Sequence, residues 1–524
     1  MLDRLPGDIL NEIFCHFCLH CCGQHVQSPE IGARFQLRDR RPRQDPHNRS
    51  WYSLDRHALF SLSLSCKALR HVAQSFLYHE FVLGYGDSVR SAYYDFDNRL
   101  IPFVRTVGRR RDLAAKVRKV AIHPLLRQNI DAKQIRETLL KAAGVLGIDI
   151  IEAWKRRAAD ASEAEREYWS GSYGDLLQTF FTPELNDAPS QREKEKEDSR
   201  PPWGFRILDA ELITMLIALL PNLNHLSLWQ ENNSPIRFCP SSFKALGITN
   251  LPNLKTLDTE TNPDAIVALA NGLETLNIRS ISLFNWHATR QLPSVSTLRL
   301  TKVAYKRKEL ERIISWCTGN LCHFIYEARG REVPFVFTRI VNGVYEGPHF
   351  SAAHASKALG PHKETLQYFH LDLRLSLGPF RPASIYNEVC DAANFTLRDF
   401  TCLREVFLST DALFAVPTDN DTDEVKGIRQ SIADKMPSSL VSLYLAKDIA
   451  TRMEDLQEGL IGLAQEKDCH PVSFPNLEHV SIDTEDPLEE KVGLIMAGAN
   501  VNFVYESLPK SKDRPARWIR MKEA

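Results

Sequence analysis

The sequence has no apolar run long enough to cross a bilayer: the longest, Leu212 to Leu220, is far short of the roughly 20 residues a spanning helix needs. A signal peptide is not expected, because Asp3, Pro6, Asp8 and Glu12 interrupt the stretch where its apolar core would lie. Net charge is also missing. The 65 Lys and Arg against 66 Asp and Glu leave a formal charge of -1, which gives nucleic acid or an acidic membrane no general attraction. No Gly-rich phosphate loop leads into Lys-Ser or Lys-Thr, no Gly-x-Ser-x-Gly elbow occurs, and the pairs beginning at His79 and His362 lack metalloprotease spacing. A disulfide framework is not expected from 11 cysteines, an odd number scattered over a long chain. These absences predict a protein of the cytoplasm and/or nucleus with reduced thiols, no intrinsic active site, no cofactor, and neither nucleic acid nor membrane among its partners.

What is present is ordinary in bulk and specific in pattern. With 43% apolar and 25% charged residues over 524 positions, the chain exceeds the size at which one core stops growing, so at least two units are expected. Leu5-Pro6 opens a helix with Asp8 near its positive end. Ile9, Leu10, Ile13, Phe14 and Phe17 then recur at helical spacing. From about Cys21 to Asp55 the periodicity stops in a stretch dense in Arg, Gln, Pro and His, expected as a flexible excursion. Helical patterning resumes between Ala58 and Phe81. Residues 132–169 are rich in Ala, Glu, Lys and Arg, and Gln191 to Pro202 reads as a charged, solvated spacer.

The largest signal is a recurring phrase, apolar-x-x-apolar-x-apolar. It begins at Val117, Leu223, Leu273, Val295, Leu366, Leu403, Leu440 and Leu477, with degenerate copies at Leu254 and Leu321. The last four full copies lie 37 residues apart, and earlier steps are as short as 19 and 22. Proline turns introduce several copies, as at Leu220, Leu251, Leu292 and Phe474, and helical stretches lie between them. One strand-plus-helix unit cannot bury its own apolar face, so the copies are expected to stack with parallel strands inside and helices outside.

Leu5 to Phe14, followed by Leu59 to Arg70 and Phe76 to Tyr78, resembles the F-box family, and most closely its fungal-type members with leucine-rich repeats. The resemblance implies an α plus α/β chain: a small helical F-box module, then an irregular leucine-rich-repeat solenoid. The boundaries it suggests are 1–82 for the module with an inserted loop at 21–55; 83–202 for a first repeat, a helical insertion and a linker; 203–483 for the solenoid; and 484–524 for a tail. Carried over by position, it implies that Leu5, Pro6, Ile9, Leu10, Ile13, Phe14, Leu62, Leu64, Cys66 and Leu69 bind or support binding of a Skp-type adaptor. Through that adaptor the chain would join a cullin ubiquitin ligase and present an unidentified protein substrate. An adaptor-bound assembly factor and an enzyme on a solenoid scaffold are the rival classes.

Two candidate sites follow from the residues themselves. In each strand the residue between the two core leucines points to the other face. Trp229, Arg279, Arg299, His370, Asp372, Phe407 and Tyr444, with Ser227, Asn277, Ser481 and Asp483 beside them, are therefore expected to form an exposed, partly aromatic surface for the substrate, with recognition by loops as the alternative. The second candidate is Cys15, Cys18, Cys21 and Cys22 with His16, His20 and His25, whose thiolate and imidazole groups suit tetrahedral zinc. No second, well-separated Cys-x-x-Cys pair closes that site, so buried or adaptor-facing thiols are favoured and no metal is assigned. The basic runs Arg109 to Arg111 and Arg517 to Lys522 read as solvated faces.

Overall fold

A computed structural model describes residues 4–18, 20–21, 51–82, 99–122, 126, 132–160, 163, 204–229, 238–279, 291–303, 307–328, 340–341, 344–345, 350–373, 394–414, 432–447, 451–484 and 488–505. The chain divides into two compact units, one ending at Gly272 and the other beginning at Leu273. Among the described residues, no helix is long and apolar enough to cross a membrane.

The first unit opens with three helices, α1 (Gly7–Cys15), α2 (Trp51–Ser65) and α3 (Lys67–Leu77). They share a small core of Leu10, Phe14, Cys18, Leu59, Leu69, Ala73 and Phe76. Phe14 sits edge-on to Phe76 with ring centroids 6.3 Å apart. The break between α2 and α3 falls at Cys66, in extended backbone, whose sulfur accepts the Leu69 N–H. A thiol thereby does the work usually given to Ser or Asp at the start of a helix. At the other end of α3, Arg56 from α2 donates to the Phe76 and Leu77 carbonyls and supplies positive charge where the helix dipole favours it.

Four strands follow in this unit: β1 (Glu80–Val82), β2 (Lys119–Ile122), β3 (His225–Leu228) and β4 (Thr256–Thr259). They are neighbours in chain order and parallel. Between β1 and β2 lie α4 (Leu100–Arg109) and α5 (Arg111–Ala114). Between β2 and β3 lie α6 (Ala132–Val145), α7 (Ile150–Asp160) and α8 (Gly204–Leu219). The helices α9 (Pro240–Ala245) and α10 (Asp264–Val267) flank β4.

In the second unit β5 (Thr275–Arg279), β6 (Thr297–Val303), β7 (His323–Ala328), β10 (Tyr368–Asp372), β11 (Glu405–Ser409), β12 (Ser442–Ala446), β13 (His479–Asp483) and β14 (Asn502–Tyr505) are parallel neighbours in that order. The helices between them are α11 (Arg307–Trp316), α12 (Ala352–Ala358), α13 (Ile432–Lys435), α14 (Met453–Cys469) and α15 (Glu490–Gly498). A short antiparallel hairpin, β8 (Ile340–Val341) with β9 (Val344–Tyr345), lies apart from the parallel set.

Every copy of the apolar phrase, the two degenerate ones included, ends in one of these strands. A backbone signature accompanies most copies: the carbonyl just before one strand accepts two consecutive amides at the start of the next. The His79 oxygen takes Arg118 and Lys119, Arg118 takes Asn224 and His225, and Asn224 takes Lys255 and Thr256. In the second unit Ser296, Cys322, Gln367, Arg404 and Val441 repeat the pattern. The proline turns add a second link. The N–H groups of Leu251 and Leu292 donate to the Leu269 and Trp316 carbonyls, just after and at the end of the next helix. Strand entry is therefore tied on both sides to the neighbouring copy, and unequal repeat lengths are absorbed elsewhere.

The parallel repetition starts and ends outside the expected limits. β1 pairs with β2 from Glu80 onward, inside the span expected for the helical module. Residues 490–505 add a helix and a strand where a tail is expected. Neither was legible, because β1 has three residues and β14 lacks the closing leucine. The helix α2 begins at Trp51, within the span expected as an excursion. Most of that excursion and the spacer Gln191 to Pro202 lie outside the described residues.

Candidate functional site

The helical module divides its predicted contact residues by physical role. Leu10, Phe14 and Leu69 are core. Leu5, Ile13, Leu62 and Cys66 are half-buried against that core. Pro6, Ile9 and Leu64 face solvent, Ile9 at 48% and Leu64 at 62% exposure. The expectation that Leu10 and Phe14 contact a partner directly is thus corrected, and of contact or support Leu69 is placed for support: a three-helix module this small needs all three to hold itself together. Two apolar residues missed in the sequence, Leu54 and Phe60, are more than half exposed on α2. Phe60 and Leu64, four residues apart, share one stripe of that helix. In the sequence, the apolar residues between Leu59 and Leu69 are too dense for periodicity to separate inward from outward positions.

The inner face of the second unit carries four of the predicted substrate residues, Arg299, His370, Phe407 and Tyr444, in one column, with Arg279 and Asp372 two positions farther along their strands. Asn277, Arg299, Ile325, His370, Phe407, Tyr444, Ser481 and Val504 are successive register partners. The residues line up as expected but are not a free surface. Arg279, Arg299, His370, Asp372, Phe407 and Tyr444 are all buried, Phe407 to 2% exposure, and so is Trp229 in the first unit. In a parallel, in-register stack each side chain is flanked on both sides at about 4.8 Å. His370 stacks on Phe407 with ring centroids 3.9 Å apart, and the Tyr368 hydroxyl lies 3.3 Å from His370 Nδ1. Phe407 and Tyr444 form a small apolar cluster with Ala446. His370 Nε2 lies 3.7 Å from a Glu327 carboxylate oxygen.

The inner face of the first unit is polar and equally enclosed. Asp258 accepts from Ser227 at 2.9 Å and pairs with His225 at 2.6 Å. Lys119 is buried on the neighbouring strand. Burial holds the His225 imidazole below its ordinary pKa, with Lys119 adding to the effect, and burial likewise lowers Lys119. Serine, histidine and aspartate together evoke acyl-transfer chemistry, but here the serine hydroxyl donates its hydrogen bond to the Asp258 carboxylate, with His225 Nε2 3.0 Å from its oxygen, and all three residues are buried. A nucleophile needs access and a base that takes its proton. In the second unit a cavity of 480 Å³ is lined by Arg307, His354, Lys357, Lys363 and Asp399, among others. His354 Nδ1 is already engaged with Ser351 in the cap of α12.

A third constellation forms where α1 ends. Cys18, His20 and Cys21 meet His79, at the junction of α3 and β1, with one ligand atom from each lying within 4.8 Å of all the others. His79 Nδ1 is 3.8 Å from the Cys18 sulfur and 3.4 Å from that of Cys21, and His20 Nδ1 is 3.8 Å from Cys21. The Cys18 thiol is pushed up by its hydrogen bond to Cys21 and then by burial. Cys21 is held well below the ordinary thiol value as the acceptor of that bond, with His20 and His79 adding to the effect. Glu80 accepts the His20 N–H at 3.1 Å and sits 3.7 Å from Arg56. His79 could not be found from spacing, because 58 residues separate it from Cys21.

No protein-family model matches this chain, and no curated protein matches it.

Proposed function

We propose that the chain is the substrate-recognition subunit of a Skp-cullin-F-box type ubiquitin ligase: the helical module docks on a Skp-type adaptor and the parallel repeats carry a protein substrate. The observation that carries this reading is the Leu5-Pro6-headed module with Ile9, Leu54, Phe60 and Leu64 exposed on its first two helices, joined in one chain to leucine-rich strand–helix repetition. Exposed large apolar side chains on a marginal domain mark an interface, and a few such anchors supply most of the binding free energy. Leu5, Pro6, Ile9, Ile13, Leu62, Leu64 and Cys66 are assigned to contact; Leu10, Phe14 and Leu69 support them from the core.

No residue is assigned catalysis. The protein acts by proximity, holding a substrate lysine near a ubiquitin-charged conjugating enzyme and raising its effective concentration there. With the inner column buried, substrate contact falls to the segments that link strands, of which 280–290, 374–393 and 415–431 lie outside the described residues.

The test is capture of purified Skp-type adaptor by the full chain, compared with Ile9→Asp/Leu64→Asp. Both residues are exposed, so the variant is expected to fold. Its affinity should fall about tenfold to a hundredfold, as expected for loss of apolar burial worth about 1.5 to 3 kcal/mol. Unchanged capture would refute adaptor docking through this face.

A further inference from the structure

We infer that Cys18, His20, Cys21 and His79 form a structural zinc site that clips the end of the first helix to the junction between the helical module and the first strand. Two thiolates and two imidazoles are a complete tetrahedral donor set, with no position left for water or substrate, which is the pattern of a structural rather than a catalytic zinc. The spacings agree with that geometry. Bonds of about 2.3 Å to sulfur and about 2.05 Å to nitrogen place sulfur and nitrogen about 3.5 Å apart around a tetrahedral ion. Three of the four sulfur–nitrogen distances stand at 3.4, 3.8 and 3.8 Å, and every pair of ligand atoms lies within 4.8 Å.

Charge and surroundings fit as well. With both cysteines as thiolates and both imidazoles neutral, the zinc centre has zero net charge, suited to a position where Cys18 is buried and both histidines are half-buried. The outer shell is in place. Glu80 fixes the Cys18–His20 segment through the His20 N–H, and Arg56 balances its charge. The Asn224 amide lies 3.2 Å from His20 Nε2, and its buried Oδ1 has no partner. Turning that amide over gives the oxygen the Nε2–H that a histidine ligating through Nδ1 must place, an outer-shell contact of the kind that orients metal-bound imidazoles. The His79 backbone is itself anchored, since its carbonyl accepts the Arg118 and Lys119 amides.

The consequence is mechanical. Between Cys21 and His79 the chain runs through the stretch that separates α1 from α2, and the ion closes that loop by a coordinate link added to the apolar core and the His20–Glu80 hydrogen bond. The inference does not depend on the proposed ligase role.

The decisive measurement is metal content of the full chain, purified under reducing conditions without chelator and without an affinity tag that binds metal. One equivalent of zinc per chain is expected. Replacement by Co²⁺ should give the intense visible bands of a tetrahedral ion together with thiolate-to-cobalt charge transfer. Cys18→Ser/Cys21→Ser should lose the metal, whereas Cys15→Ser, outside the set, should retain it. Wild-type protein that stays substoichiometric after zinc reconstitution, or a cobalt spectrum without thiolate bands, overturns the site whether or not the double variant folds. So does full zinc retention by that variant.

Discussion

At the scale of single residues, the buried polar groups decide stability by being paired. Arg157 on α7 donates to Glu211 on α8 at 2.8 Å and to Ser241 on α9 at 3.2 Å, and Glu211 also accepts from Ser242 at 2.8 Å. Arg157→Met strands the Glu211 charge in the interior and should cost about 3 kcal/mol in chemical denaturation. Adding Glu211→Leu should recover most of that loss, because the penalty lies in the orphaned carboxylate. Gly319 is required for a different reason: a Cβ there would sit 1.8 Å from the Pro293 carbonyl oxygen. Gly319→Ala must move backbone and should cost about 2 kcal/mol. His362 is held below its ordinary pKa by burial, so it is neutral in the native state while the unfolded chain protonates near 6.5. Protons then bind the unfolded state first, and stability falls as pH drops through about 6.5. His362→Gln should show a shallower loss of Tm than wild type between about pH 7.5 and about pH 5.5. None of these roles was legible in sequence, since they depend on partners 30 or more residues away, on a backbone approach or on burial in the folded chain.

At the scale of elements, the repeat phrase carried its own structure. The spacing of its leucines forms the strand, the turn before it sets the start, and every copy produced a strand in parallel register. The middle residues were assigned correctly to the opposite face and incorrectly to solvent. A period of two states which side a residue takes, not what covers that side. Phe407, stacked on His370 and packed with Tyr444, therefore acts as core, and Phe407→Ala should lower stability by about 3 kcal/mol, read from the urea midpoint at unchanged m-value. The helices of the amino-terminal module show the converse limit. Their existence followed from periodicity, but which of Leu5 to Leu69 remain exposed depended on how three short helices share one small core.

At the scale of the whole molecule, the proposed ligase reading and the zinc clip make separable predictions: one concerns the exposed face of α1 and α2, the other the carboxyl end of α1. Loss of adaptor capture in Ile9→Asp/Leu64→Asp with zinc retained is the expected combination, measured on the same protein preparation. The sequence by itself determined the alternation of strand and helix and the helical opening, because these depend on periods of two and 3.6 and on turn chemistry within a dozen residues. Tertiary structure alone decided where the parallel repetition begins and ends, that the inner column is enclosed, and that His79 joins Cys18, His20 and Cys21. Those outcomes arise from pairing across tens of residues, where the chain path, not local pattern, brings side chains within reach of one another.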